Sequence, residues 1–105
     1  MPFDAKRLAS DLLNAAYHAG GTLEVTMHVG EWSGELVREM VDGILTDRDQ
    51  FKLRLRGIRT DTTGFAKFGI KMDTGNSGLY NGVPIVMSPT VDFDAMVLVF
   101  GPQQR

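Results

Sequence analysis

The segment Phe51-Lys-Leu-Arg-Leu-Arg-Gly-Ile58 alternates apolar and basic residues. A period of two is typical of a strand with one face in a core and the other in water. The segment Gly64-Phe-Ala-Lys-Phe-Gly-Ile-Lys-Met72 alternates in the same way after a polar turn. One register makes both patterns agree, and we therefore predict that the two segments form an antiparallel hairpin. The pairs in this register are Leu53 with Ile70, Leu55 with Phe68, Arg56 with Lys67 and Lys52 with Lys71.

The cations of this predicted hairpin share its polar face. They are Lys52, Arg54, Arg56, Lys67 and Lys71. Like charges directly opposite each other destabilise a sheet, so this face indicates either an anionic partner or balancing acids on neighbouring strands. We expect a partner, which would be a nucleic-acid backbone or an acidic protein surface. No aromatic residue lies among the cations on this polar face, which disfavours base stacking on single-stranded nucleic acid.

The rest of the sequence predicts two amphipathic helices and three further strands. The predicted helices run from Asp4 to Ala19 and from Ser33 to about Leu45, with Asp4 and Ser33 as N-caps. The predicted strands cover Thr22–Val29, Val83–Met87 and Val91–Phe100, and Asp73–Gly82 forms a glycine-rich loop. The order α-β-α-β-β-β-β predicts one α+β domain over residues 1–105. We expect a mostly antiparallel sheet of about five strands with both helices on one face.

The last predicted strand is apolar on both faces from Ala95 to Phe100. We expect the helices to cover the face that bears Val97 and Val99. The opposite face would then be left without cover; its residues are Met96, Leu98 and Phe100. Burying such side chains is worth about 1.5–3 kcal/mol each, so a second copy of the chain is the simplest cover. The sequence therefore predicts a homo-oligomer with these three residues at its interface.

Composition excludes several classes of function. The chain has 105 residues, no cysteine and two histidines, which rules out disulfides, thiolate metal sites, cysteine nucleophiles and histidine-rich metal sites. It contains no phosphate loop, dinucleotide fingerprint or nucleophile elbow. No apolar run approaches the ~20 residues that span a bilayer, and the N-terminal residues do not resemble a signal peptide, so we expect none. We predict no catalytic residue, no cofactor, no metal and no membrane.

Three weaker patterns leave alternatives open. Asp73-Thr74-Gly75 resembles the active-site segment of aspartic proteases, which implies a dimeric protease, although a glycine-rich turn explains the same residues. His28 and Glu24 share the polar side of one strand and suit either acid–base work or a structural role. Asp92 and Asp94 have the spacing to hold a divalent cation, or to pair with the basic hairpin.

The stretch from Leu79 to Val99 resembles a segment near the end of tailed-bacteriophage major capsid proteins. The matching positions are Gly82, Val83, Pro84 and Pro89, within a strand, a proline-containing turn and a final strand. The resemblance implies a phage or viral structural or accessory protein that works by binding, in the host cytoplasm or the virion. The alternative from the residues is an oligomer that sequesters a phosphate or nucleotide between its subunits.

Overall fold

The two long helices begin at the caps that the sequence supplies. The computed structural model describes residues 4–73 and 75–103. Helix α1 spans Ala5–His18, and the carboxylate of Asp4 accepts a hydrogen bond from the Arg7 N–H at 3.0 Å. Helix α2 spans Gly34–Asp47, and the hydroxyl of Ser33 accepts from the Leu36 N–H at 3.1 Å. Both predicted helices and both N-caps are confirmed.

Five strands form one sheet in the order β1-β5-β2-β4-β3. Their bounds are Leu23–His28 for β1, Leu53–Thr60 for β2, Ser77–Tyr80 for β3, Val83–Met87 for β4 and Ala95–Pro102 for β5. Strand β5 is antiparallel to both β1 and β2, β2 is parallel to β4, and β4 is antiparallel to β3. The chain therefore has the predicted α+β class with five strands, but its sheet is mixed rather than mostly antiparallel.

The predicted hairpin is wrong. Strand β2 lies between β5 and β4, so neither of its edges is open to the segment 64–72. The start of that segment instead belongs to a short helix α3, which spans Thr62–Ala66 and is capped by the carboxylate of Asp61. Phe65 and Phe68 are buried one helical turn apart, and Gly69 then takes a positive φ of 64° that ends the turn. The alternation of apolar and polar residues in this segment therefore does not mark a strand.

Helices α1 and α2 cover one face of the sheet. The side chains of Met96, Leu98 and Phe100 are fully buried against this layer, whereas Val97 and Val99 are only partly buried. The expectation that Met96, Leu98 and Phe100 are left uncovered is therefore wrong. These three residues are not available to form the predicted oligomer interface. The physical reason lies at Asp94, which takes a positive φ of 55° and interrupts the alternation before β5 begins.

The predicted loop and final strand also change. Residues 77–80 of the predicted loop form β3, the outer partner of β4. Residues 91–94 lie before β5 and are not part of a strand, so Asp92 and Asp94 do not share a strand face. A 3₁₀ turn, Arg48–Phe51, follows α2 and leads into β2. Among residues 4–73 and 75–103, no helix is long and apolar enough to cross a membrane.

Candidate docking surface

The face of the sheet opposite α1 and α2 presents the cations of β2. Leu53, Leu55, Ile58 and Thr60 are buried, and the residues between them point to the open side. The register with β5 shifts between Leu55 and Gly57, so Arg56 is the extra residue of a bulge. Because of this bulge, both halves of β2 present their basic residues on the same side. We call this surface the arginine face; its cations are Arg54, Arg56 and Arg59.

Arg56 lies directly over the neighbouring strand. A Cβ atom placed on Gly101 would be 2.6 Å from the Cδ atom of Arg56, which is closer than side-chain carbons can approach. The absence of a side chain at Gly101 therefore lets the Arg56 stem lie against the sheet. Arg54 pairs across the ladder with the same glycine. Gly101 thus provides the space that the Arg56 side chain occupies.

Apolar side chains surround the arginines. Val97 and Val99 of β5 are half-buried on this side, and β4 adds Pro84 and Val86. Leu79 of β3, which pairs with Pro84, is 66% exposed. Arg59 lies between two shallow depressions of about 400 and 380 Å³. The arginine face is therefore a mixed apolar and cationic surface.

One of the three arginines has a partner within the chain. The Arg59 guanidinium donates to Oε1 of Glu24 on β1 at 3.2 Å, and both side chains are about half exposed. Arg54 and Arg56 make no ion pair or side-chain hydrogen bond with any other residue that the structure describes. The centre of the face therefore holds two cations whose charge the described part of the chain leaves unbalanced.

The five predicted anion-binding residues are not together. Arg54 and Arg56 lie on the arginine face, but Lys52 is exposed in the turn before β2, with a positive φ of 55°. Lys71 is exposed in the segment after α3. Arg59 is the third cation of the arginine face, and the sequence indicates its position. A glycine inside a strand often marks a bulge, and the alternation resumes after Gly57.

Lys67 has a structural role instead of a surface role. Its ammonium donates to the backbone carbonyls of Val29 at 2.6 Å, Gly30 at 3.2 Å and Trp32 at 2.5 Å. An ammonium group has three donors, so these contacts use all of them. The side chain therefore holds the loop between β1 and α2 against α3, and little of its charge is available to a partner.

The carboxylate and histidine candidates are bonded within the loops at one end of the sheet. His28 and Glu24 share the exposed side of β1 as predicted, and His28 Nδ1 lies 2.9 Å from Oδ1 of Asp94. The Asp94 N–H donates to Oδ2 of Asp61 at 2.7 Å. Burial by itself would raise the pKa of Asp61, but hydrogen bonds from Gly64, Asp94 and Thr63 outweigh it and lower that pKa. Within residues 4–73 and 75–103, no three such groups are arranged to hold a metal ion.

Asp73 lies in an exposed turn. Its Oδ1 accepts from the Gly75 N–H at 3.1 Å and from the Ser77 hydroxyl at 3.0 Å, and these bonds lower the pKa of Asp73. Thr74, the centre of the protease-like tripeptide, lies outside the described residues. The contacts are those of an aspartate that closes a glycine-containing turn before β3.

A second charged surface runs along the outer side of α2. We call it the acidic groove, a depression of about 740 Å³ that reaches from Lys6 of α1 to Tyr80 of β3. Its carboxylates are Glu35, Glu39, Asp42 and Asp47, and its cations are Lys6 and Arg38. The acidic groove was not among the predicted sites, although Glu35, Glu39 and Asp42 recur at spacings of four and three residues, which place them on one side of a helix.

The acidic groove is closed at one end by β3. Asp42 Oδ1 accepts from the Tyr80 hydroxyl at 2.9 Å and from the Asn81 amide at 3.0 Å. Burial and the bond to Asp42 raise the pKa of Tyr80 to about 12. Glu35 and Glu39 are exposed and make no ion pair or side-chain hydrogen bond with the rest of the described chain. This surface also has unbalanced charge, of the opposite sign.

Comparisons with known proteins add no relative. No protein-family model, no curated protein and no solved structure gives a significant match to this chain.

Proposed function

We propose that this chain is a binding protein that docks an acidic protein surface on its arginine face. The observation that supports the proposal is the pair Arg54 and Arg56, which no described side chain neutralises. The two arginines stand beside partly exposed valines of β5. Arginine is enriched in protein–protein interfaces, because its planar fork pairs with carboxylates while its stem packs on apolar groups.

The composition of the arginine face favours an acidic protein over a nucleic acid. Its apolar residues, such as Val97 and Leu79, suit a partner that also offers apolar contacts. In the described strands, none of the side chains on this side is Phe, Tyr or Trp, the residues on which bases stack. Binding of a nucleic acid is therefore the alternative result that the experiment must distinguish.

The proposal is of binding rather than catalysis. His28 and Asp94 bond to each other, and Asp73 closes a turn, so each of these groups has a structural task. Lys67 bonds to the loop between β1 and α2, and Lys71 belongs to the segment after α3 rather than to β2, which gives less support to a shared phosphate pocket. A phage or viral structural or accessory role, in the host cytoplasm or the virion, stays a prediction from the resemblance at Leu79–Val99.

The test is a binding titration with a fluorescein-labelled peptide rich in glutamate and leucine. We expect the unchanged protein to bind it with an affinity that falls as salt rises. The double variant Arg54→Ala/Arg56→Ala should bind at least about tenfold more weakly, which corresponds to about 1.4 kcal/mol. The matched control is Arg7→Ala/Lys71→Ala, which removes two exposed cations elsewhere and should bind as the unchanged protein does.

Two outcomes would contradict the proposal. Equal binding by the two double variants would mean that net charge, not the arginine face, attracts the peptide. Tighter binding of a single- or double-stranded oligonucleotide than of the peptide, lost in Arg54→Ala/Arg56→Ala, would assign the face to nucleic acid.

A further inference from the structure

The arginine face and the acidic groove lie on opposite layers of the molecule. The arginines project from the sheet on the side away from the helices, whereas the groove follows α2 within the helical layer. The arginine face has three arginines, and two carboxylates, Glu24 and Asp92, lie on the side of Arg59. The groove has four carboxylates and two cations. The two surfaces are therefore oppositely charged, and each is the chemical partner of the other.

The acidic partner of the arginine face, we infer, is the acidic groove of a second copy of this chain. The inference rests on the proposed function and names its partner. In this arrangement Arg54 and Arg56 of one copy meet Glu35 and Glu39 of the next. An arginine and a carboxylate often pair through two parallel hydrogen bonds, and this geometry adds specificity to the contact. The contact uses a different surface on each copy, so it is head-to-tail, and it builds a closed ring or an open filament.

Each surface carries two like charges that form no ion pair with any residue that the structure describes. Glu35 and Glu39 are four residues apart on α2, a spacing at which two like charges destabilise a helix. Arg54 and Arg56 are close neighbours on one face of β2. Docking the two surfaces removes both repulsions at once. Neither repulsion has another remedy among the ion pairs of the described residues.

The same charges disfavour a symmetric pairing of two sheets. Placing the arginine face of one copy against the arginine face of another would set Arg54 and Arg56 against their own equivalents. Juxtaposed like charges cost several kcal/mol at an interface. The buried state of Phe100 removes the other argument for sheet-to-sheet pairing, because the apolar side chains of β5 already have their cover. A head-to-tail contact is the arrangement that the charge distribution favours.

The test measures mass by sedimentation velocity, up to about 100 μM, a range that covers weak specific interfaces. The unchanged protein should exceed the 11.6 kDa of one chain, with a mass that rises with concentration and falls with salt. Arg54→Ala/Arg56→Ala and Glu35→Gln/Glu39→Gln should each stay monomeric. The control Asp11→Asn/Glu31→Gln changes two exposed acids outside the groove and should assemble as the unchanged protein does.

Mixing the two monomeric variants is the decisive step. The first retains an intact groove and the second an intact arginine face, so one competent contact can form. We expect a 1:1 dimer of about twice 11.6 kDa that does not grow further. A mixture that stays monomeric, although each variant keeps the far-ultraviolet circular dichroism of the unchanged protein, would overturn the inference. So would self-association of either variant on its own.

Failure of self-association can be distinguished from failure of the proposed docking function. If the unchanged protein is monomeric at every concentration but binds the glutamate-rich peptide through Arg54 and Arg56, the second-copy inference fails and the docking proposal stands. If assembly and peptide binding both fail, the arginine face is not a docking surface.

Discussion

The two faces of the sheet differ within a single strand. On β5, Met96, Leu98 and Phe100 are fully buried beneath the helices, while Val97 and Val99 between them are partly exposed. On the covered side, every apolar group has neighbours from the same chain. On the open side, apolar and charged groups stand together without such cover. The difference separates what folds the chain from what is available to a partner.

The same division separates the cations. Lys67 is committed to three backbone carbonyls of one loop, whereas Arg54 and Arg56 have no ion pair among the described residues. Equal formal charge therefore does not mean equal function. A cation with three internal acceptors stabilises the fold, whereas a cation on an open face keeps its charge available to a partner.

The largest expected effect compares neighbouring residues on opposite faces. Phe100→Ala should lower the free energy of unfolding by about 3–5 kcal/mol, because it opens a cavity in the core. Val99→Ala, one position earlier on the open side, should cost less than about 1.5 kcal/mol. Urea denaturation followed by circular dichroism measures both. Similar losses for the two variants would break the distinction between the faces.

Lys67→Met should show the second largest effect. The substitution keeps most of the side-chain length and removes all three donors to the loop carbonyls. We expect a loss of about 2 kcal/mol, the scale of hydrogen bonds to charged groups, with faster amide exchange in the loop between β1 and α2. Lys71→Met, at an exposed position, should stay within about 0.5 kcal/mol of the unchanged protein. Equal effects would show that the contacts of Lys67 do not stabilise the loop.

Asp61→Ala tests the cap that replaces the predicted hairpin. It removes the acceptor for the N–H groups of Gly64 and Asp94, and we expect a loss of about 1–2 kcal/mol near neutral pH. The pKa of Asp61 is lowered in the folded chain from an ordinary value of 3.8. Its stabilising contribution is therefore present above that value and is lost as the pH falls through the lowered folded pKa.

Denaturation at neutral and acidic pH checks this sign. The difference in stability between the unchanged protein and Asp61→Ala should shrink at acidic pH. A difference that grows on acidification would contradict the assignment of Asp61 as a charged cap. Asp61→Asn retains one oxygen acceptor and should lie between the two proteins at neutral pH.

The smallest expected change in stability is at the arginine face. Arg54→Ala/Arg56→Ala should alter the free energy of unfolding by no more than about 0.5 kcal/mol per residue, because neither side chain has an ion pair to lose among the described residues. Removing the repulsion between them offsets part of the loss of packing on the sheet. Thermal melts at low and high salt measure the change. A loss above about 2 kcal/mol would assign the two arginines to the fold rather than to docking.

Local patterns predicted the elements whose signals are local. The helices follow from apolar spacing and from the caps at Asp4 and Ser33. Strand β1 follows from its alternation, and β4 follows from a short apolar run between turn residues. These signals depend on neighbours within a few residues, so they survive without knowledge of the fold. The α+β class follows from the order of the elements. The open side of β2 was predictable for the same reason, because its basic residues alternate with buried ones.

Other features depended on contacts distant in sequence. Residues 64–72 alternate as well as β2 does, yet Asp61 caps a helix there and both edges of β2 are taken by β5 and β4. The phase of β5 depends on the backbone at Asp94, whose positive φ shifts the alternation. The role of Lys67 depends on the loop between β1 and α2, which α3 approaches only in the folded chain.

The sequence alone determined the two long helices, their caps, the α+β class and the alternation that gives β2 one apolar and one basic side. Tertiary structure decided which strands pair, which side of β5 faces the helices and which cations remain on the surface. The physical reason is range. Periodicity and capping arise from groups within one or two turns of the chain, whereas strand pairing and charge neutralisation arise from groups that only the fold brings together.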